Sequence, residues 1–349
     1  MDSTIHRTRR AWVMWAVGVA AVVVGLVLAG ATAPATAAEP LKVGGLPVTC
    51  NLTLPIACHA LQNATKAGQT IVGAPAEYLK FTGWPELKES LISGRVKIAY
   101  FLAPLAMELA ENGIPVKVVA LGHRSGAVIM VKADSPIKGM KDLKGMRIAI
   151  PSRFAVDHLF VRRVLKKNGM TAADVQFVEM NPPDMPAALY AGAVAAFATG
   201  EPFGAVAEMA GYARPLYMTR NEWPNYICCV LTVRQELIDE DRAQVQQLVN
   251  YVMSAGLWLQ ASQSNRNLGA EVAAGPRYFN QKPEVLKFVM NNPPNRVTYG
   301  DLRVIRAEFD ELMRLALEAR IISRPVPYEK YVDESFVRDF KRVVIKIER

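Results

Sequence analysis

Four short segments carry side chains whose types and spacing suit the binding of a small molecule. The first is Gly200-Glu201-Pro202-Phe203, which follows the apolar run Val194–Thr199. A carboxylate held between glycine and proline at the end of an apolar strand is a turn aimed at something, because loops leaving the carboxyl ends of strands in open α/β sheets face the ligand crevice. Glu201 would accept hydrogen bonds from an amine, an amide or a ligand N–H, or would hold Arg124 or Arg153 in place. The second segment is Gly122-His123-Arg124-Ser125-Gly126. Its two glycines let backbone and side chains come close to a ligand. Arg124 offers two parallel hydrogen bonds to a sulfonate, carboxylate or nitrate, with a salt bridge to an acidic residue as the competing role.

The third segment, Pro151-Ser152-Arg153-Phe154-Ala155, precedes a helix beginning near Val156. A helix N-terminus offers free N–H groups and partial positive charge to an anionic head group, and Ser152 and Arg153 add to that. Asp157 and His158 follow on the helix; an acid facing the ligand would repel an anion. The fourth is Pro47-Val48-Thr49-Cys50-Asn51. Thr49 and Asn51 are good N-cap residues for the helix that follows, a role compatible with touching a ligand.

Catalytic signatures are missing from the sequence. It contains no P-loop, no Gly-x-Ser-x-Gly, no His-Glu-x-x-His and no paired carboxylates at recognisable spacing. The four cysteines are Cys50, Cys58, Cys228 and Cys229, which allow three full disulfide pairings. Cys228 and Cys229 are adjacent in an apparent strand, so their side chains should point to opposite faces. Thiolates near His59 suit Cu(I) or Zn, but no Cys-x-x-Cys or His-x-x-x-His spacing is present, and no metal or cofactor is expected.

Short strands and helices must hold these loops. Strands are expected at Leu41–Pro47, Val96–Phe101, Val116–Leu121, Ala127–Lys132, Arg147–Ile150, Val175–Met180 and Asn225–Val233. Helices are expected near Glu86–Ser93, Pro104–Glu111, Val156–Lys167, Met185–Ala191, Val245–Leu259 and Leu302–Ala319. The alternation predicts α/β architecture with a parallel sheet.

Arg7, Arg9 and Arg10 precede an uncharged run from Ala11 to Ala38, and Ala35-Thr36-Ala37 is a small-x-small site. That order reads as a cleavable secretory signal over residues 1–37, with an uncleaved anchor as the alternative. The formal net charge is +9; removing residues 1–37 takes three basic and one acidic residue and leaves about +7. Such a balance favours small anions or an anionic surface by long-range steering. The charges are scattered, without a basic stripe interleaved with aromatics, so nucleic acid is excluded as a partner.

The segments WPELKESLISGRVKIAYFLAPLAMELAENGIPVKVVALGHRSG and PPDMPAALYAGAVAAFATGEPF resemble the nitrate/sulfonate/taurine-type substrate-binding proteins of ABC importers, which include the NMT1/THI5-like domain. The resemblance implies the two-lobed periplasmic binding protein type 2 fold. Residues 38–125 and 225–349 would form one lobe and 126–224 the other, with crossings at Gly122–Gly126 and Asn221–Tyr226. It implies a monomeric periplasmic receptor that binds a small organic or oxyanion solute in the cleft and docks on an ABC permease. Thr49, Cys50, Asn51, His123, Arg124, Ser125, Ser152, Arg153, Asp157 and Glu201 would contact the solute, with Trp84, Trp223 and Tyr226 as candidate apolar walls. Cys50 and Asn51 depart from the polar or charged pair common in the family. Ala127 replaces the glutamine typical of nitrate binders. Cys50 with Cys228 or Cys229 is the pairing of most interest, because both segments fall in one lobe. Two alternatives are an enzyme on the same scaffold, of the pyrimidine-precursor type, with Glu201, Asp157 or His158 as acid–base groups, and a periplasmic sensory or metal-handling protein using the cysteines.

Overall fold

The computed structural model describes residues 39–224 and 226–347. The expected signal segment and Asn225 lie outside the described residues. In chain order the strands are β1 (Leu41–Gly45), β2 (Ala76–Lys80), β3 (Ile98–Leu102), β4 (Val116–Leu121), β5 (Arg124–Ser125), β6 (Ala127–Lys132), β7 (Arg147–Ile150), β8 (Gln176–Glu179), β9 (Ala196–Gly200), β10 (Ala213–Met218), β11 (Cys229–Arg234) and β12 (Val297–Thr298).

Two five-stranded sheets share one topology. The first runs β2-β1-β3-β11-β4 and the second β8-β7-β9-β6-β10. In the first, β1 lies parallel to β2 and β3 (Leu41 opposite Ala76, Val43 opposite Ile98), while β11 runs antiparallel between β3 and β4. In the second, β7 lies parallel to β8 and β9, while β6 runs antiparallel between β9 and β10. Each sheet thus has four strands in one direction and one reversed. The reversed strand is the one that follows a passage between the sheets, at residues 122–126 for β6 and 219–228 for β11. The fold is therefore two-lobed α/β, each lobe a mostly parallel sheet flanked by helices, as the sequence led us to expect.

Burial explains the strand order. All five residues of β3 and of β9 are buried, which suits central strands covered on both faces. Edge strand β2 alternates buried and half-buried residues. Edge strand β10 carries Pro215 beside a register shift, where a missing N–H is tolerated. The helix Val156–Lys167 buries Val156, Leu159, Phe160, Val161, Val164 and Leu165 on one face. Each such apolar side chain stabilises the lobe by roughly 1.5–3 kcal/mol relative to exposure.

Several expected boundaries move, and the helix expected at Val245–Leu259 runs from Gln235 to Ala261. The strand expected at Asn225–Val233 begins only at Cys229, so Cys228 precedes the pleat; Cys228 and Cys229 do not point apart, and their Sγ atoms lie 4.0 Å from each other. The helix expected at Leu302–Ala319 begins at Arg306. No helix of the described residues is long and apolar enough to cross a membrane.

Candidate functional site

The loops at the carboxyl ends of the two sheets meet. After β1, the Leu46 N–H donates to Asn51 Oδ1 at 2.8 Å and closes the turn that carries Thr49 and Cys50. The Thr49 backbone N–H and hydroxyl both donate to the Glu201 carbonyl, at 2.6 and 3.1 Å. Tyr299 donates its hydroxyl to the Thr49 carbonyl at 2.8 Å. Thr49 and Asn51 therefore join the loops rather than cap the next helix, which has no side-chain cap. Gly200 permits the approach, since a Cβ there would lie 2.9 Å from Cys50 Sγ.

Glu201 is fully buried, but its carboxylate is already taken. Arg296 Nε donates to Oε1 at 2.7 Å, and the Ala205 backbone N–H donates to Oε2 at 2.9 Å. The partner is thus Arg296, not the expected Arg124 or Arg153. Burial works against the carboxylate, while the Arg296 charge and the Ala205 N–H work for it. Burial also lowers Arg296, but the Glu201 and Glu208 charges outweigh it and hold the guanidinium above its ordinary range.

Arg124 turns the other way. Its Nε donates to the Asp301 carbonyl at 2.9 Å and its Nη1 to Glu308 at 2.6 Å. The expected anion grip is corrected to the salt bridge that competed with it. Arg153 is exposed, its guanidinium 4.9 Å from the centre of the Phe154 ring, so it too is corrected from cleft residue to surface residue. Ser152 Oγ accepts from the Phe154 N–H at 3.2 Å in a local turn, and His158 Nδ1 lies 2.9 Å from the Arg153 carbonyl. Ser125 takes a positive φ of 58° and pairs with Val297 through the β5–β12 ladder. Burial, with the Arg124 charge adding, pushes His123 down to about 3 against the Ser125 backbone, and its neutral ring makes no hydrogen bond of normal geometry.

Between the lobes lies a small, partly open cavity of about 10 Å³. Val48, Cys50, Leu102, Cys228 and Cys229 line it from the first lobe, and Pro151, Asp157, Thr199 and Gly200 from the second. Of the ten expected contact residues, Cys50 and Asp157 reach this wall. Burial raises Asp157 to about 6, while its own backbone N–H and the Tyr226 hydroxyl, 3.4 Å from Oδ1, pull the other way. Among the described residues no cation lines the cavity.

Two lining residues bring unspent hydrogen-bonding groups. Thr199 Oγ1 and Trp84 Nε1 are buried without partners. Such groups are costly to leave unpaired, and a solute between the lobes would satisfy them. Thr199 was visible in the sequence as the last residue of the apolar run before Gly200-Glu201. Trp84 was expected as an apolar wall, and its N–H is the added finding. Arg296 had no signal of its own, since it sits in the aperiodic run Asn292-Pro293-Pro294-Asn295-Arg296.

The chain is similar to several proteins of known name. It is 23% identical over 299 residues to the nitrate/nitrite binding protein NrtA of Nostoc sp., covering 79% of this chain and 66% of that protein. It is 28% identical over 141 residues to the putative aliphatic sulfonates-binding protein of Escherichia coli, covering 40% of this chain and 44% of that one. The chain thus spans just under two thirds of the first relative's length and less than half of the second's. Its fold matches the ligand binding component of an ABC-type import system from Staphylococcus aureus, solved with zinc bound, at a TM-score of 0.77 and 27% identity over 87% of this chain and 100% of that one. A desulfurization enzyme, DSZB, shares the fold at a TM-score of 0.60 and 16% identity over 86% and 98%. Residues 35–274 match the NMT1-like family, and the chain belongs to that family.

Proposed function

We propose that this chain is the solute-binding component of an ABC importer, exported to the periplasm as a monomer. It takes a small organic or oxyanion solute between its lobes and presents it to a membrane permease. The observation that carries this reading is the cavity built jointly by both lobes, with Thr199 Oγ1 and Trp84 Nε1 unpartnered at its wall. The relatives' names support the solute class: nitrate or nitrite for one, aliphatic sulfonates for another.

At about 10 Å³ the cavity holds roughly one water. A sulfonate or nitrate therefore enters only when the lobes part, and closure completes the site. With Asp157 at the wall and no basic side chain among its lining residues, an oxyanion is held by hydrogen-bond donors rather than by a lysine or arginine. Thr199, Trp84 and Asp157 are the residues proposed to touch the solute; Thr49, Asn51 and Ser152 shape the loops around them. We assign binding without turnover. A shared fold with an enzyme does not argue otherwise, since function resides in the site rather than the fold.

A thermal-shift screen of sulfonates, nitrate, carboxylates and pyrimidines tests the proposal, because a solute that binds only the folded chain raises its melting temperature. The expected result is one chemical class that raises Tm in the parent and not in Thr199→Val. A screen in which nothing raises Tm, or in which the variant responds like the parent, overturns it.

A further inference from the structure

Cys50, His123, Cys228 and Cys229 place their ligand atoms within 4.8 Å of one another, and all four residues are buried. They come from three separate segments: the turn after β1, the end of β4, and the segment leading into β11. All four cysteines of the chain are free thiols, but Cys58 stands outside this group. His123 is fully buried, yet neither of its ring nitrogens makes a hydrogen bond of normal geometry among the described residues. A buried imidazole ordinarily finds a partner.

We propose that these four residues bind one Zn²⁺ ion at the junction of the two crossings, where Cys50, Cys228 and Cys229 form the first-lobe wall of the cavity and His123 stands behind them. Three sulfurs and one imidazole nitrogen form a tetrahedral donor set known for closed zinc sites. With Zn–S near 2.3 Å and Zn–N near 2.0–2.1 Å, the ligand atoms need to close in by no more than about 1.2 Å. Cys228 Sγ and Cys229 Sγ, at 4.0 Å, already stand near the tetrahedral edge length. Binding exchanges the three thiol protons for the metal, and those protons go to solvent. The bound ion ties the turn after β1 to both crossings, so it stiffens the first lobe exactly where the chain leaves and re-enters it.

The notion of a cysteine metal site with His59 is thereby corrected. His59 lies on the helix Thr53–Lys66, outside the cluster, and the fourth ligand is His123. Spacing along the chain gave no sign of this, because 178 positions separate Cys50 from Cys228 and only the shared sheet brings them together.

The test uses the full chain, reduced, with its four thiols counted by alkylation and mass spectrometry before metal is added. Co²⁺ is titrated first, then displaced by Zn²⁺. The proposal expects one equivalent of Co²⁺, with the intense visible bands of tetrahedral thiolate ligation. It expects loss of three thiols from alkylation when Zn²⁺ is bound. Cys50→Ser, Cys229→Ser and His123→Ala should each weaken Zn²⁺ binding by roughly tenfold or more, while Cys58→Ser leaves it unchanged. Circular dichroism establishes that each variant is folded, and the isosteric Cys229→Ser carries the test if His123→Ala does not fold. Octahedral Co²⁺ spectra, unchanged affinity in Cys229→Ser, or isolation of the native chain with a disulfide among Cys50, Cys228 and Cys229 overturns the proposal. Solute binding is not a readout here, so its failure and the failure of this site are separate results.

Discussion

Arg296 and Glu201 meet as a buried ion pair, Nε to Oε1 at 2.7 Å, with side chains 1% and 0% exposed. Arg296 precedes β12 near the C-terminal helices, and Glu201 ends β9 of the second sheet, so the pair joins distant parts of the chain. Glu208 shares the guanidinium at 2.9 Å. Removing Arg296 leaves the Glu201 charge buried and unpaired, which typically costs 3–5 kcal/mol, and removing Glu201 leaves the buried guanidinium with Glu208 alone. Glu201→Gln and Arg296→Met are each expected to lower urea-unfolding stability by about 3 kcal/mol. The double variant should recover part of that loss, because the orphaned charge is gone. Additive losses would show that the two side chains are not coupled.

His158 predicts an acid-sensitive fold. Burial, helped by the Arg162 charge and opposed by the Arg153 carbonyl, lowers it to about 4 from an ordinary 6.5. The unfolded chain therefore binds the extra proton first, and stability falls as pH drops from about 6.5 toward 4. Above about 6.5 the residue contributes no pH dependence. At 1.36 kcal/mol per pKa unit the full effect is about 3 kcal/mol. Subtracting the stability curve of His158→Phe from that of the parent isolates it. A flat difference across pH 4–6.5 would contradict the burial of a neutral imidazole.

Asp157 is the one ionisable carboxylate at the cavity wall. At pH 7.5 its charge opposes an oxyanion. Asp157→Asn is expected to strengthen binding of a sulfonate or nitrate by roughly tenfold, equivalent to about 1.4 kcal/mol. Calorimetric titration measures this. Weaker oxyanion binding in the variant would mean that the carboxylate accepts a hydrogen bond from the solute.

Gly122 sits where the chain leaves the first sheet. A Cβ there would lie 2.4 Å from the Cys50 carbonyl oxygen and 3.1 Å from that of Cys229. Both are backbone atoms, so neither can swing aside. Gly122→Ala should destabilise the fold by about 1–3 kcal/mol through overpacking. Chemical denaturation reads this directly, and a neutral outcome would mean that the crossing shifts freely.

Most strands and helices were legible because burial imposes simple periods on them: the inner strands β3, β6, β7 and β9, and the well-buried edge strand β4, fall within a few residues of their expected places. The edge strands β2 and β10 were not foreseen. AEYLK carries two charges, and ARPLYM carries an internal proline, so neither reads as a strand until a neighbour supplies its hydrogen bonds. The site was half legible. Loop positions could be read from Gly, Pro and polar residues, and they do converge at Thr49, Cys50, Asp157 and Glu201. Side-chain partners could not be read. Arg124 chooses Glu308, 184 positions away, and Glu201 chooses Arg296, 95 positions away. Such choices follow from tertiary packing alone.

The central claim is that a solute sits between the lobes against Thr199 and Trp84. Calorimetric titration of the strongest solute from the thermal screen into the parent, Thr199→Val and Trp84→Phe tests it most directly. The account predicts that each substitution raises Kd roughly tenfold, since each removes one hydrogen bond to the solute, while unfolding midpoints stay close to the parent's. Unchanged Kd values in both folded variants would place the solute elsewhere and contradict the account.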